Sequence, residues 1–225
     1  MTTKSTDQAQ ATDHGQATDR LIGSLTESLN PVRPLWPPAL RALVWLAAVA
    51  LLGGVGVLYW APLRSFITRT AQVRLAIECA ATLLTGITAV VAAFHLSVPD
   101  RSSLWRYAPL PPLIVWIATS GLGCLDYGIG LGPAGHRLGE SLRCFGFIVL
   151  VSLPVAALLY GVLRRARPLE PLPVALTAAL GVAALSAFLL QFFHPFDTTV
   201  IDLALHVAAV GLVVVVASAS KRVLA

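Results

Sequence analysis

Charged side chains are scarce in this 225-residue chain: Asp, Glu, Lys and Arg make up 12% of it, about half the roughly 25% that keeps a soluble domain wet. That scarcity argues against a soluble enzyme or a DNA-binding domain. With a hydrophobic fraction of 56%, it points to a chain solvated mostly by lipid. Cysteine is scarce too, and three is an odd number, so at least one thiol cannot pair within the chain and a disulfide-stapled mini-protein is excluded. No CxxC or HExxH spacing occurs, which leaves no dithiol redox pair or metalloprotease motif. Acyl or phosphoryl transfer has no nucleophile-and-base motif to stand on. No basic stretch followed by an apolar core opens the chain, so the N-terminal tail is expected to survive in the mature protein.

What is there begins with that tail. Residues 1–19 hold almost nothing apolar beyond Met1, Ala9, Ala11 and Ala17, too little buried surface to offset ordering entropy, and disorder is expected. From Asp19, a candidate cap, Leu21, Ile22, Leu25 and Leu29 fall on one helical face and predict an amphipathic helix of two to three turns. The run Asn30-Pro31-Val32-Arg33-Pro34-Leu35-Trp36-Pro37-Pro38 then breaks it, because proline lacks the N–H and pushes its predecessor out of the α region.

Beyond Pro38 the apolar runs are long enough to cross about 30 Å of hydrocarbon, which takes roughly 20 helical residues. Six are expected: Ala39 to Ala61, Arg74 to Ser97, Tyr107 to Asp126, Leu142 to Leu163, Leu172 to Phe193 and Thr199 to Ser218. The fold class is therefore all-α: a cytoplasmic tail over residues 1–38, then a six-helix transmembrane domain over 39–225. Tyr59-Trp60 and Trp105 to Tyr107 suit interfacial positions. With the N-terminus inside, the inner segments carry 11 of the 16 Lys and Arg; the outer ones carry Arg64, Arg69, Arg74, Arg137 and Arg143. The positive-inside rule then favours both termini in the cytoplasm. The three inward-starting helices all begin near prolines, which are tolerated in a first turn or mark a repeated hairpin. Pro154 predicts a kink in the fourth span.

On this topology all three cysteines come out near the outer face: Cys79 begins the second span, Cys124 ends the third and Cys144 begins the fourth. His194 closes the fifth span at that face, with Asp197 in the turn after it. Cys144 and His194 lie at similar depth in one hairpin, so a thiolate and an imidazole there can bind a soft or borderline cation such as Zn²⁺, or the thiol can be oxidised. The competing reading is that each cysteine is a small buried hydrophobe. Asp202 and His206, four residues apart in the sixth span, share a face and should look into the bundle, as a polar lock or as a sensing or transport site; Glu78 is a candidate to join them. His95 reads as an interfacial or packing residue.

The segment from Leu21-Ile22-Gly23-Ser24-Leu25 through Pro31-Val32-Arg33-Pro34-Leu35, followed by Arg41 and six spans, resembles the NrsF family of membrane anti-sigma factors. Leu84-Thr85-Gly86, Cys144, Leu163-Arg164-Arg165-Ala166-Arg167-Pro168 and His194-Pro195-Phe196-Asp197 match further. The resemblance implies that the tail, through Leu21, Ile22, Leu25, Leu29, Pro31, Val32, Arg33 and Pro34, sequesters an extracytoplasmic-function sigma factor, and that the protein is not an enzyme. It also implies an outer-face sensor of heavy-metal or oxidative stress, in family members a cysteine pair. Cys144 matches the first of the pair, whereas His194 stands at the second. A disulfide is impossible there, so ligation of Zn²⁺ or Cd²⁺ by Cys144 and His194, or oxidation involving Cys79 or Cys124, has to replace it; no resident cofactor is required. The alternatives are a small ion or metal transporter using Asp202 and His206, and a membrane thiol enzyme dependent on Cys144.

Overall fold

The computed structural model describes residues 16–27, 34–130 and 138–193, with helical positions at 208, 211, 212 and 215; the side chains of Arg69, of 122–130 and of 138–145 fall outside that description. The chain divides into two units, Met1–Leu35 and Trp36–Ala225. Among the described residues there are helices and turns and no strand.

In the first unit, α1 occupies residues 16–27. Its helical residues already include 16–18, ahead of Asp19, which corrects two expectations: Asp19 is not the cap, and 16–19 are helical. Gln16 and Ala17 are good helix formers.

The second unit contains α2 (Pro38–Trp60), α3 (Leu63–Thr70), α4 (Val73–Leu96), α5 (Leu110–Gly130), α6 (Leu138–Leu163) and α7 (Pro171–Leu190). Among the described residues, four helices are long and apolar enough to cross a membrane: Pro38–Trp60, Val73–Leu96, Gly146–Ala166 and Pro171–Leu190. The third expected span coincides with the 21-residue α5; the sixth, Thr199 to Ser218, lies outside the described residues. Prolines do open these helices, with Pro38 and Pro171 in first turns, where the missing N–H would have had no helical partner. Pro154 sits within α6, whose assignment continues through it.

The short α3 was not expected from the sequence, because eight residues of mixed polarity carry no span-length signal. Pro62 starts it: its carbonyl accepts both the N–H and the hydroxyl of Ser65, at 3.0 and 2.8 Å. Phe66 then stacks on Phe192 beyond the end of α7, with ring centroids 4.1 Å apart.

The centre of the bundle is the crossing of α4 and α7, its most extensive helix pairing. Lipid tails are as apolar as leucine, so helices associate in a membrane by close van der Waals packing rather than by escape from water. Here small residues permit it. A Cβ on Gly181 would lie 2.7 Å from Val90 Cγ2 and 3.0 Å from Val90 N, and one on Gly86 would lie 2.7 Å from Leu185 Cγ. Ala175, Ala178, Val182 and their neighbours Val90, Ala93 and Phe94 extend this contact into a core shared with Ala42, Trp45, Leu159 and Leu163. A separate, smaller cluster of Ile148, Ala187 and Leu190 lies towards the other end.

Candidate functional site

In α1, Leu21, Ile22 and Leu25 are 59%, 55% and 56% exposed. Ser24 and Thr26 turn their hydroxyls back on the helix, donating to Leu21 O at 2.9 Å and Ile22 O at 2.6 Å, so these two polar groups are satisfied locally. Leu21, Ile22 and Leu25 thus form an exposed apolar face on α1. Pro34 is exposed and non-helical; Leu29, Pro31, Val32 and Arg33 lie outside the described residues.

Where α2 begins, the bundle buries a charge. Arg41, in the first turn of α2, is 8% exposed. Its Nη2 donates to the carbonyl of Val162 at 3.0 Å, and its guanidinium lies over the Phe94 ring, 5.2 Å from the centroid. Val162 is in the last turn of α6, where carbonyls have no partner within their own helix. Arg41 therefore caps α6 from α2 and rests on the last turn of α4. Tyr160 donates to Ala175 O at 2.9 Å, tying the end of α6 to the start of α7. The same end carries the 3-10 turn Ser103–Tyr107, where Trp105 stacks on His95 at 4.1 Å, giving His95 the packing role expected of it. Arg101, Arg106, Arg164, Arg165 and Arg167 belong to the loops and turns here, and Arg167 adopts a left-handed φ of 46°.

At the opposite end, Glu78 is 5% exposed in the early part of α4. Ser120 of α5 donates to its Oε1 at 2.8 Å, and Arg74 approaches Oε2 at 3.8 Å from one turn earlier. Cys79 is half-buried beside it. Cys124 and Cys144 are placed on α5 and α6 by their backbones, near the ends expected of them. His194, Asp197, Asp202 and His206 lie outside the described residues, as does any meeting of Glu78 with the last two. No group of three or more His, Cys, Asp or Glu that could hold a metal ion occurs among the described residues. Midway between the ends, Ser152 of α6 donates to Ser186 of α7 at 3.0 Å.

Sequence reasoning missed the capping role of Arg41, the acceptance of Ser120 by Glu78, and the Gly86–Gly181 crossing. A signal existed for the first: an ionisable residue inside a span needs a named partner. For the third, glycine and alanine at helical spacing in two spans were the clue. Ser120 had none, since a lone serine is ordinary in a transmembrane helix.

A family model described as "NrsF: Negative regulator of sigma F" matches residues 25–225. No curated protein and no solved structure matches the chain.

Proposed function

Because the chain belongs to the NrsF family of negative regulators of sigma F, we propose that it is an anti-sigma factor of the bacterial inner membrane that holds an extracytoplasmic-function sigma factor at its cytoplasmic face. Negative regulation of a sigma factor is the family's business; the type of sigma factor and the place of binding are the proposal. Such a regulatory role accords with the expectation that the chain is not an enzyme. The observation that carries the reading is the exposed leucine face of α1. A short amphipathic helix of this kind can fill a groove on a soluble partner, with Leu21, Ile22, Leu25 and Leu29 as anchors and the Pro31-Val32-Arg33-Pro34 segment contributing beside them. The family match starts at Leu25, so Leu21 and Ile22 belong to the proposal on the strength of α1 alone.

Six apolar runs of span length support six spans, and the excess of Lys and Arg on alternate segments supports both termini inside. The arginine-rich loops share one end of the bundle with Arg41, and that end is assigned to the cytoplasm. Stress is then sensed at the far end, by Cys144 and His194 with Asp197 nearby, through transient Zn²⁺ or Cd²⁺ ligation or through thiol oxidation supported by Cys79 or Cys124.

Pull-down of the sigma factor from detergent-solubilised membranes tests the first part. Leu25→Asp combined with Leu29→Asp should abolish recovery; equal recovery from wild type and variant, or none from either, sinks the reading. For the sensor, Cys144→Ser and His194→Ala, at unchanged membrane abundance, should each blunt induction by cadmium, zinc or peroxide. Proton or metal flux in proteoliposomes that is abolished by Asp202→Asn would favour a transporter instead.

A further inference from the structure

We infer that Arg41 is a releasable latch between the helix that carries the tail and the helix that carries Cys144. This inference rests on the proposed function for its purpose, but the latch itself stands on geometry. The chain enters the bundle at α2, and Arg41 lies three residues into that helix. It fastens α2 to Val162 at the far end of α6. Cys144 is in the early part of the same α6, and the 18 residues between Cys144 and Val162 span about 27 Å of helix. One continuous element thus runs from the sensor end to the latch.

The docked state is incompletely satisfied, which is what makes it releasable. A guanidinium offers five N–H donors, and here Nη2 has Val162 O while the cation faces the Phe94 ring. Among the described residues Nη1 is buried without a hydrogen-bond partner, and so is Nε1 of Trp45, one turn further along the same face of α2. Burying such donors opposes docking, whereas packing and the carbonyl favour it. An arginine this close to a helix end can instead extend to the interface and recover water and lipid phosphate. Two arrangements of one side chain, each with its own set of partners, form a two-state element that a displacement of α6 can bias. When α6 shifts, Val162 leaves, Arg41 undocks, and the root of the tail is freed. The α4–α7 crossing, where backbones touch, stays fixed.

Amide hydrogen exchange, read by mass spectrometry on the full chain in lipid nanodiscs, tests this. Arg41→Met should raise exchange about tenfold in residues 38–42 and 159–166, while 86–90 and 178–185 keep their protection. Cadmium chloride or hydrogen peroxide added to wild type should open the same two segments. Unchanged exchange in Arg41→Met overturns the latch, as does sigma-factor release by either inducer while both segments stay protected. If Arg41→Met loses protection throughout, Arg41→Lys decides, since it keeps the charge but not the planar fork. Selective opening of the two segments supports the latch, and wild-type exchange overturns it. Segments that open as expected in a protein that retains no sigma factor leave the latch standing and overturn the proposed function alone.

Discussion

The first and last described spans are near twins in length and hydropathy, yet α7 has 61% of its most apolar window buried and α2 only 11%. Hydropathy reports that a segment tolerates lipid; it does not report which segments lipid will touch. The difference lies in where the small residues fall. In α7, Ala175, Ala178, Ala179, Ala183, Ser186 and Ala187 recur at helical spacing around Gly181, so a neighbouring backbone can reach contact. In α2, glycines gather at 53, 54 and 56, and among the described residues a Cβ on Gly53 would meet only Leu189 Cδ1, at an ordinary 3.6 Å. Large side chains such as Leu43, Leu51 and Leu52 face outward from α2.

The sharpest test of this contrast is a pair of glycine substitutions. Gly181→Leu drives side-chain atoms into Val90 and its backbone and should cost about 3 kcal/mol. Among the described residues nothing lies within 4 Å of a Cβ on Gly54, so Gly54→Leu should stay within about 0.5 kcal/mol of wild type. Thermal unfolding in detergent measures both, and equal losses would break the comparison. Next in size, Ser120→Ala removes the hydroxyl that Glu78 accepts and should destabilise by about 2 kcal/mol, read in the same melts. Trimming apolar side chains sharpens the picture further. Val182→Ala should cost about 1 kcal/mol through lost packing, while Leu51→Ala should leave SDS-induced unfolding unmoved. The smallest effect belongs to the hydroxyl pair in the bundle's middle. Ser152→Ala, in a double-mutant cycle with Ser186→Ala, should give a coupling of about 0.6 kcal/mol.

Long apolar runs made five helices legible within a few residues of their ends, because the bilayer's thickness imposes a length that composition displays directly. Tyr59 and Trp60 lie exposed at the end of α2. What sequence could not display was pairing. Arg41 reads as one more inner-face positive charge until its partner, 121 residues away, is known. Glu78 attracted attention as an acid beside a cysteine, whereas its described hydrogen-bond donor is a serine on another helix. In α1 the Leu21, Ile22 and Leu25 face followed from spacing, but the helicity of Gln16 to Thr18 did not, since they carry no apolar periodicity. The proposed sensor pair was legible as chemistry only, from residue type and depth.

The acceptance of Ser120 by Glu78 also bears on how the chain enters the bilayer. The two residues are 42 positions apart, and at about 5–20 residues per second of synthesis the serine is added some 2–8 s after the acid. During that interval Arg74, one turn away, is the counter-charge already made beside that carboxyl. The packing of α4 is therefore completed only when α5 arrives, and the ribosome's pace sets how long the acid waits.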